Sequence, residues 1–276
     1  MKFQICDKKK KEIFISIFQI LKNCSSIISC TFEEKSLHIQ GMDKSHICLF
    51  DLTLNQDWFD NYDISEKKNI SFDSNIFHSI ISTKSDNLDL IFRFSSDNED
   101  VLYIDFVNHN EQEQKEKSKK NKKDKKSEDS KQFQKFFKIP LLENEYQELN
   151  IPNTDYDVEF TISAKHIDDI FSQLILFGND ISMHCSQDNI HLTTNGVTGE
   201  MRVEIPTDDI SSYSIVEGEE IILNYSLIYL NKMCITNKLS EEIEFSLSND
   251  FPMKITYSLG EDSFVTFYTA PKVCDD

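Results

Sequence analysis

The chain has 276 residues, enough for two domains of ordinary size, and its 39% hydrophobic content with 21 phenylalanines excludes a disordered tail or linker. A formal net charge of −19 and a pI near 4.7 exclude a protein that wraps nucleic acid with a uniformly basic surface, because phosphate contacts need lysine and arginine. Any contact with DNA must come from a local positive region.

The opening Met1-Lys2-Phe3-Gln4-Ile5-Cys6-Asp7 runs into Lys8 to Lys11 without an apolar signal region, and no later apolar run approaches a membrane span. A cytosolic or nuclear protein is expected. Residues 12 to 23 place Phe14, Ile17, Phe18 and Leu21 at the i, i+3, i+4, i+7 spacing of an amphipathic helix. Ile27 to Phe32 and Leu37 to Gln40, joined by Glu33-Glu34-Lys35, read as a β-hairpin, and His46 to Leu54 as a third strand. A second helix around Ile76, Phe77, Ile80 and Ile81 precedes a strand at Leu88 to Phe94.

Residues 110 to 131 carry no apolar side chain and alternate lysines with acids. They are expected to form a mobile low-complexity expansion inside the first domain, with a basic arm touching phosphate as the other reading. Strand character resumes at Phe133 to Ile139, and 141–156 is expected to link two halves. The second half repeats the order. Ile167, Ile170, Phe171 and Leu174 make a helical stripe, Ile181 to Ser186 and Ile190 to Thr194 a hairpin, Leu227, Leu230 and Cys234 a last helix, and Ile243 to Leu247 a strand. Leu37-His38-Ile39 is echoed by Ile190-His191-Leu192. The chain reads as two copies of one α+β unit, 1–140 and 157–276, around a connector at 141–156.

The seven cysteines (Cys6, Cys24, Cys30, Cys48, Cys185, Cys234, Cys274) are scattered, odd in number and form no Cys-x-x-Cys pair, which predicts reduced thiols and no zinc site. No Gly-x-x-x-x-Gly-Lys, His-Glu-x-x-His or Gly-x-Ser-x-Gly occurs. His184 and Cys185 are adjacent but point to opposite faces of a strand. No catalytic constellation, metal site or cofactor is expected.

The run Met42-Asp43-Lys44-Ser45-His46-Ile47-Cys48-Leu49-Phe50-Asp51-Leu52-Thr53-Leu54 resembles the M-D-x-S-H-V-x-L-x-x-L-x-L segment of the proliferating cell nuclear antigen family of sliding clamps. Leu149-Asn150-Ile151-Pro152-Asn153-Thr154-Asp155-Tyr156 resembles that family's connector, L-G-I-P-x-x-x-Y, and Tyr268-Thr269-Ala270-Pro271-Lys272-Val273 its C-terminal Y-L-A-P-K-I. Tyr229-Leu230-Asn231 and the run Ser246 to Met253 extend the likeness to nearly the whole chain outside 109–132. The resemblance implies two similar clamp domains per subunit, inner helices backed by antiparallel β-sheets, and three subunits closing head to tail around double-stranded DNA in the nucleus or a viral replication compartment. It also implies partners that dock through short peptide motifs: DNA polymerase, clamp loader, flap endonuclease and DNA ligase.

Carried over by the resemblance, a peptide pocket comprises Met42, His46, Leu49, Leu149, Ile151, Pro152, Tyr156, Pro252, Ala270, Pro271 and Val273. Asn150 stands where the family has glycine. The DNA-facing charges are expected at Lys22, Lys84, Lys165, Lys232 and Lys238. Two arginine positions of the family's third helix fall on Asp169 and Ser172, and Asp168 adds an acid, so this lining is thinned. The subunit interface is expected along Phe136, Phe137 and Ile139 on one strand and Met201, Val203 and Ile205 on another, because paired edges leave no open ladder. Three alternatives stay open: a subunit of a heterotrimeric checkpoint-type clamp, a monomeric viral polymerase accessory factor, and an enzyme with carboxylate metal ligands.

Overall fold

The computed structural model describes residues 1–83, 87–95, 98–108, 133–144, 149–152 and 154–272. The first half runs β1 (Lys2–Ile5), α1 (Lys8–Cys24), β2 (Ile27–Phe32), β3 (Ser36–Met42), β4 (Cys48–Asn55), β5 (Asn61–Asp63), β6 (Lys68–Asp73), α2 (Ser74–Ile81), β7 (Leu88–Ser95), β8 (Asn98–Asn108) and β9 (Lys135–Pro140). The second half runs β10 (Val158–Ser163), α3 (Ala164–Leu174), β11 (Asp180–Cys185), β12 (Asn189–Gly196), β13 (Gly199–Pro206), β14 (Ser212–Ile215), β15 (Ile221–Ser226), α4 (Leu227–Met233), β16 (Glu242–Leu247), β17 (Met253–Gly260) and β18 (Ser263–Thr269). The two lists have the same order. The low-complexity segment 110–131 lies outside the described residues.

The strand pairings repeat as well. β5-β1-β7-β8-β9 in the first half matches β14-β10-β16-β17-β18 in the second, and β4-β3-β2-β6 matches β13-β12-β11-β15. One contact breaks the separation: β18 pairs antiparallel with β4, Phe267 opposite Phe50, and fuses strands of both halves into a nine-stranded sheet. Trp58, fully buried, donates its indole N–H to the Leu259 carbonyl at 3.2 Å across the same seam. The four α-helices of the described residues form a row, α1 packing on α2 and, across the seam, on α4, which packs on α3.

Apolar periodicity builds this core. Alternate residues of β4 (Cys48, Phe50, Leu52, Leu54) are buried, and Phe14 and Phe18 of α1 meet a ring stack in which Phe77 lies 4.3 Å from Phe72 and 4.5 Å from Phe18 between centroids. α1 starts at Lys8, ahead of the apolar stripe, because the Asp7 carboxylate caps it by accepting the Lys10 N–H at 2.8 Å. Lys11 is buried there, with its ammonium on the Leu88 carbonyl at 2.8 Å.

Other boundaries differ from the sequence reading as well. The third strand begins at Cys48 rather than His46, since Asp43 draws residues 43–47 into a tight loop in which His46 takes φ 58°. The last helix stops at Met233, leaving Cys234 as its cap.

Candidate functional site

The described residues of the segment Leu149 to Tyr156 belong to no strand, so something else must fix them. Gln40, buried on β3, donates to the Leu149 carbonyl at 3.0 Å and accepts the Leu149 N–H at 2.6 Å, while its NH₂ also reaches Asp51 at 3.3 Å. One side chain thus imitates a rung of sheet. Upstream, the Leu142 N–H donates to the Ser71 carbonyl at 2.8 Å, and the Lys272 N–H donates in the same way to Asn224 at 2.7 Å. The exits of both halves are tied to corresponding edge strands.

The loop before β4 is organised by Asp43. Its carboxylate accepts the N–H groups of Ser45 (2.9 Å), Ile47 (2.8 Å) and Cys48 (2.7 Å) and the Tyr229 hydroxyl (3.1 Å). Burial pushes its pKa up, but these donors outweigh burial and the net shift is downward.

Between loop, connector and C-terminal segment lies an apolar cavity of about 310 Å³. β3 contributes Met42, the loop His46, and β4 Leu49; the connector contributes Leu149, Ile151, Pro152 and Tyr156, and the strand ends Pro252 and Ala270. Pro271 is not on its wall, and Val273 lies outside the described residues. Sequence reasoning missed Ile47, Asn150, Thr154, Phe251 and Tyr268, which complete it. All five lie inside the motif runs that carry the family resemblance, Phe251 next to Pro252 and Tyr268 at the head of the C-terminal motif, so the sequence carried a signal for each. A larger cleft of about 870 Å³ beside β6 is more polar and contains none of the expected residues.

Of the expected DNA-facing lysines, Lys22 lies 3.0 Å from His78 Nδ1, and burial together with this lysine lowers the His78 pKa. Lys232 stands over the Tyr229 ring, 5.4 Å from its centroid, and shares with Lys22 the walls of a cleft of about 280 Å³. Lys165, in the first turn of α3, and Lys238, after α4, are exposed. Lys84 lies outside the described residues. On α3, burial and, to a lesser extent, the neighbouring Asp169 raise the Asp168 pKa.

β9 and β13 are both sheet edges. Phe136 is 65% exposed, whereas Phe137 packs edge-on to Phe106 at 5.9 Å and Ile139 is buried. Met201 and Val203 pack partly against the core and Ile205 is buried. The expected interface residues other than Phe136 thus face inward while their strands' outer ladders are open.

Comparison with known proteins agrees with this geometry. Residues 7–129 match the proliferating cell nuclear antigen N-terminal domain and residues 150–272 its C-terminal domain. The chain belongs to the proliferating cell nuclear antigen family. It is 24% identical over 272 residues to proliferating cell nuclear antigen 2 of Plasmodium falciparum (isolate 3D7), covering 96% of this chain and 97% of that one. To proliferating cell nuclear antigen of Chaetomium thermophilum it is 25% identical over 275 residues, covering 96% and 95%. The chain is accordingly a sliding clamp of the proliferating cell nuclear antigen class, a family of non-enzymatic replication and repair factors. Among the described residues, no helix is long and apolar enough to cross a membrane, and no His, Cys, Asp or Glu cluster could hold a metal.

Proposed function

We propose that three copies of this chain close head to tail into a ring that encircles duplex DNA in the nucleus and serves as a polymerase processivity factor. The observation that carries this reading is the seam. Through the repeat, β18 corresponds to β9 and β4 to β13; β18 pairs with β4 inside the chain, whereas β9 and β13 are left as edges. Pairing β9 with β13 of a second copy reproduces the seam and covers both ladders, which is a heterologous contact of the kind that closes rings.

The repeat also supports a register. Phe267 corresponds to Phe137 and Phe50 to Met201 through the pairings of each sheet, and Phe267 faces Phe50 at the seam. Phe137 is then expected opposite Met201 of the next copy, Lys138 opposite Glu200, and the exposed Phe136 opposite Arg202. The acidic net charge fits retention by topology, with few lysines available for counterion release.

The apolar cavity is read as the docking site for short peptides of DNA polymerase, clamp loader, flap endonuclease and DNA ligase, the stiff connector offering backbone and the cavity receiving an aromatic plug. Native mass spectrometry at micromolar concentration tests the assembly: a trimer is expected, and a monomer would sink the reading. Loaded on DNA, the protein is expected to resist salt on closed circles and to run off linear duplex; equal loss from both would exclude encirclement.

A further inference from the structure

Cys24 ends α1 and Cys48 opens β4, and their sulfur atoms lie 4.0 Å apart. Cys48 is fully buried, whereas Cys24 is half-buried and lines the cleft bordered by Lys22, Lys44 and Lys232. The hydrogen bond from Cys48 lowers the Cys24 pKa against burial and Asp43, and Lys232 adds to the lowering. The same contact and burial push Cys48 up. Cys24 is thus the more accessible thiol of the two, with the Cys48 sulfur in contact behind it. Among the described residues, no other two thiols share a hydrogen bond.

We propose that Cys24 and Cys48 are a peroxide-sensitive thiol pair that closes to a disulfide, clamping the 43–48 loop to the end of α1. The Cys24 thiolate attacks one oxygen of a peroxide; the S–O bond forms, the O–O bond breaks, and the leaving hydroxide takes a proton to become water. Cys24 is now a sulfenic acid. The Cys48 sulfur attacks it, the S–S bond forms, the S–O bond breaks, and the Cys48 proton leaves with the oxygen as a second water. Two thiols and one hydrogen peroxide thus give one disulfide and two waters.

The sulfurs must close from 4.0 Å to about 2 Å, and the open cleft beside Cys24 gives its side chain room to rotate. The bond joins a helix end to the strand whose residue Leu49, with the preceding Ile47, lines the apolar cavity. Redox state would therefore set how freely that rim moves.

The test uses the whole protein, treated with stoichiometric hydrogen peroxide, quenched by alkylation and digested with trypsin. The expected product joins residues 23–35 to residues 45–67, two hydrogens lighter than their sum, with fragment ions placing the bond on Cys24 rather than Cys30. Cys6→Ser should leave this species and Cys24→Ser should remove it; Cys24 sits half-buried at a helix end, so circular dichroism is expected to show the Cys24→Ser fold intact. Dithiothreitol should restore both thiols. Recovery of Cys24 as sulfinic or sulfonic acid without the cross-link, or alkylation of Cys24 and Cys48 as complete after peroxide as before it, would overturn the proposal.

Discussion

Gln40 grips the backbone of Leu149 with both ends of its amide, at 3.0 Å to the carbonyl and 2.6 Å from the N–H. At Leu149 the connector has no ladder, and this buried side chain supplies both of the backbone bonds there. Gln40→Leu removes both bonds at a net cost of about 1 kcal/mol each. The Leu149 amide should then exchange with deuterium much faster while core strands such as β4 keep their protection. Unchanged exchange at Leu149 would show that the connector is held by other means.

Ile151 is half-buried on the cavity wall. Ile151→Asp puts a carboxylate against the expected aromatic plug, where it loses hydration without a partner. Binding of a peptide carrying a glutamine, an aliphatic residue and paired aromatics should weaken by about 2 kcal/mol or more, the scale of an interface hot spot. Calorimetry on wild type and variant measures it, with melting temperature as the control for folding. Equal affinities would remove the pocket reading and leave the ring reading standing.

The register drawn from the seam opposes Lys138 and Glu200 of neighbouring copies. Lys138→Glu alone should weaken the trimer by like-charge repulsion across the strands, and Glu200→Lys added to it should restore assembly. Native mass spectra of the single and double variants over a dilution series provide the measurement. A double variant no better assembled than Lys138→Glu would rule out this register.

Asp43 gives a pH signature. Its folded pKa lies below the ordinary 3.8, so its stabilisation is fully present above that value and is lost as pH falls through the lower folded pKa. Asp43→Asn loses carboxylate acceptors for three backbone N–H groups and a hydroxyl, and should be destabilised by about 1 to 3 kcal/mol at neutral pH. Denaturant unfolding at a series of pH values should show the gap between wild type and variant narrowing only below the ordinary carboxylate range. A gap constant with pH would assign the effect to packing.

Much of the fold was legible because Phe14, Ile17, Phe18 and Leu21, and their counterparts Ile167, Ile170, Phe171 and Leu174, obey one period and all but Ile170 are fully buried. The cavity was legible through three motifs rather than through periodicity, since Met42, Ile151 and Ala270 lie far apart in sequence and only tertiary pairing unites them. The first turn of α1 escaped, because lysines at 8 to 11 give no apolar stripe and the cap Asp7 is a single residue. The Gln40 clamp and the Cys24–Cys48 contact escaped for another reason: each is a side-chain meeting between distant elements, which no local pattern encodes. Likewise, the inward packing of Phe137, partly buried, and Ile139, buried, is set by the partner strand β8, and their own alternation does not say which face is outward.

The β4–β18 seam has a consequence for synthesis on the ribosome. β4 is made long before its partner β18, so until β18 emerges the first half holds an unpaired ladder beside Phe50 and Leu52. At roughly 5 to 20 residues per second, the wait between these strands lasts on the order of 10 to 40 s. A nascent chain stalled before residue 263 should therefore recruit holdase chaperones, and a stall placed after β18 has emerged should end that dependence as β18 docks.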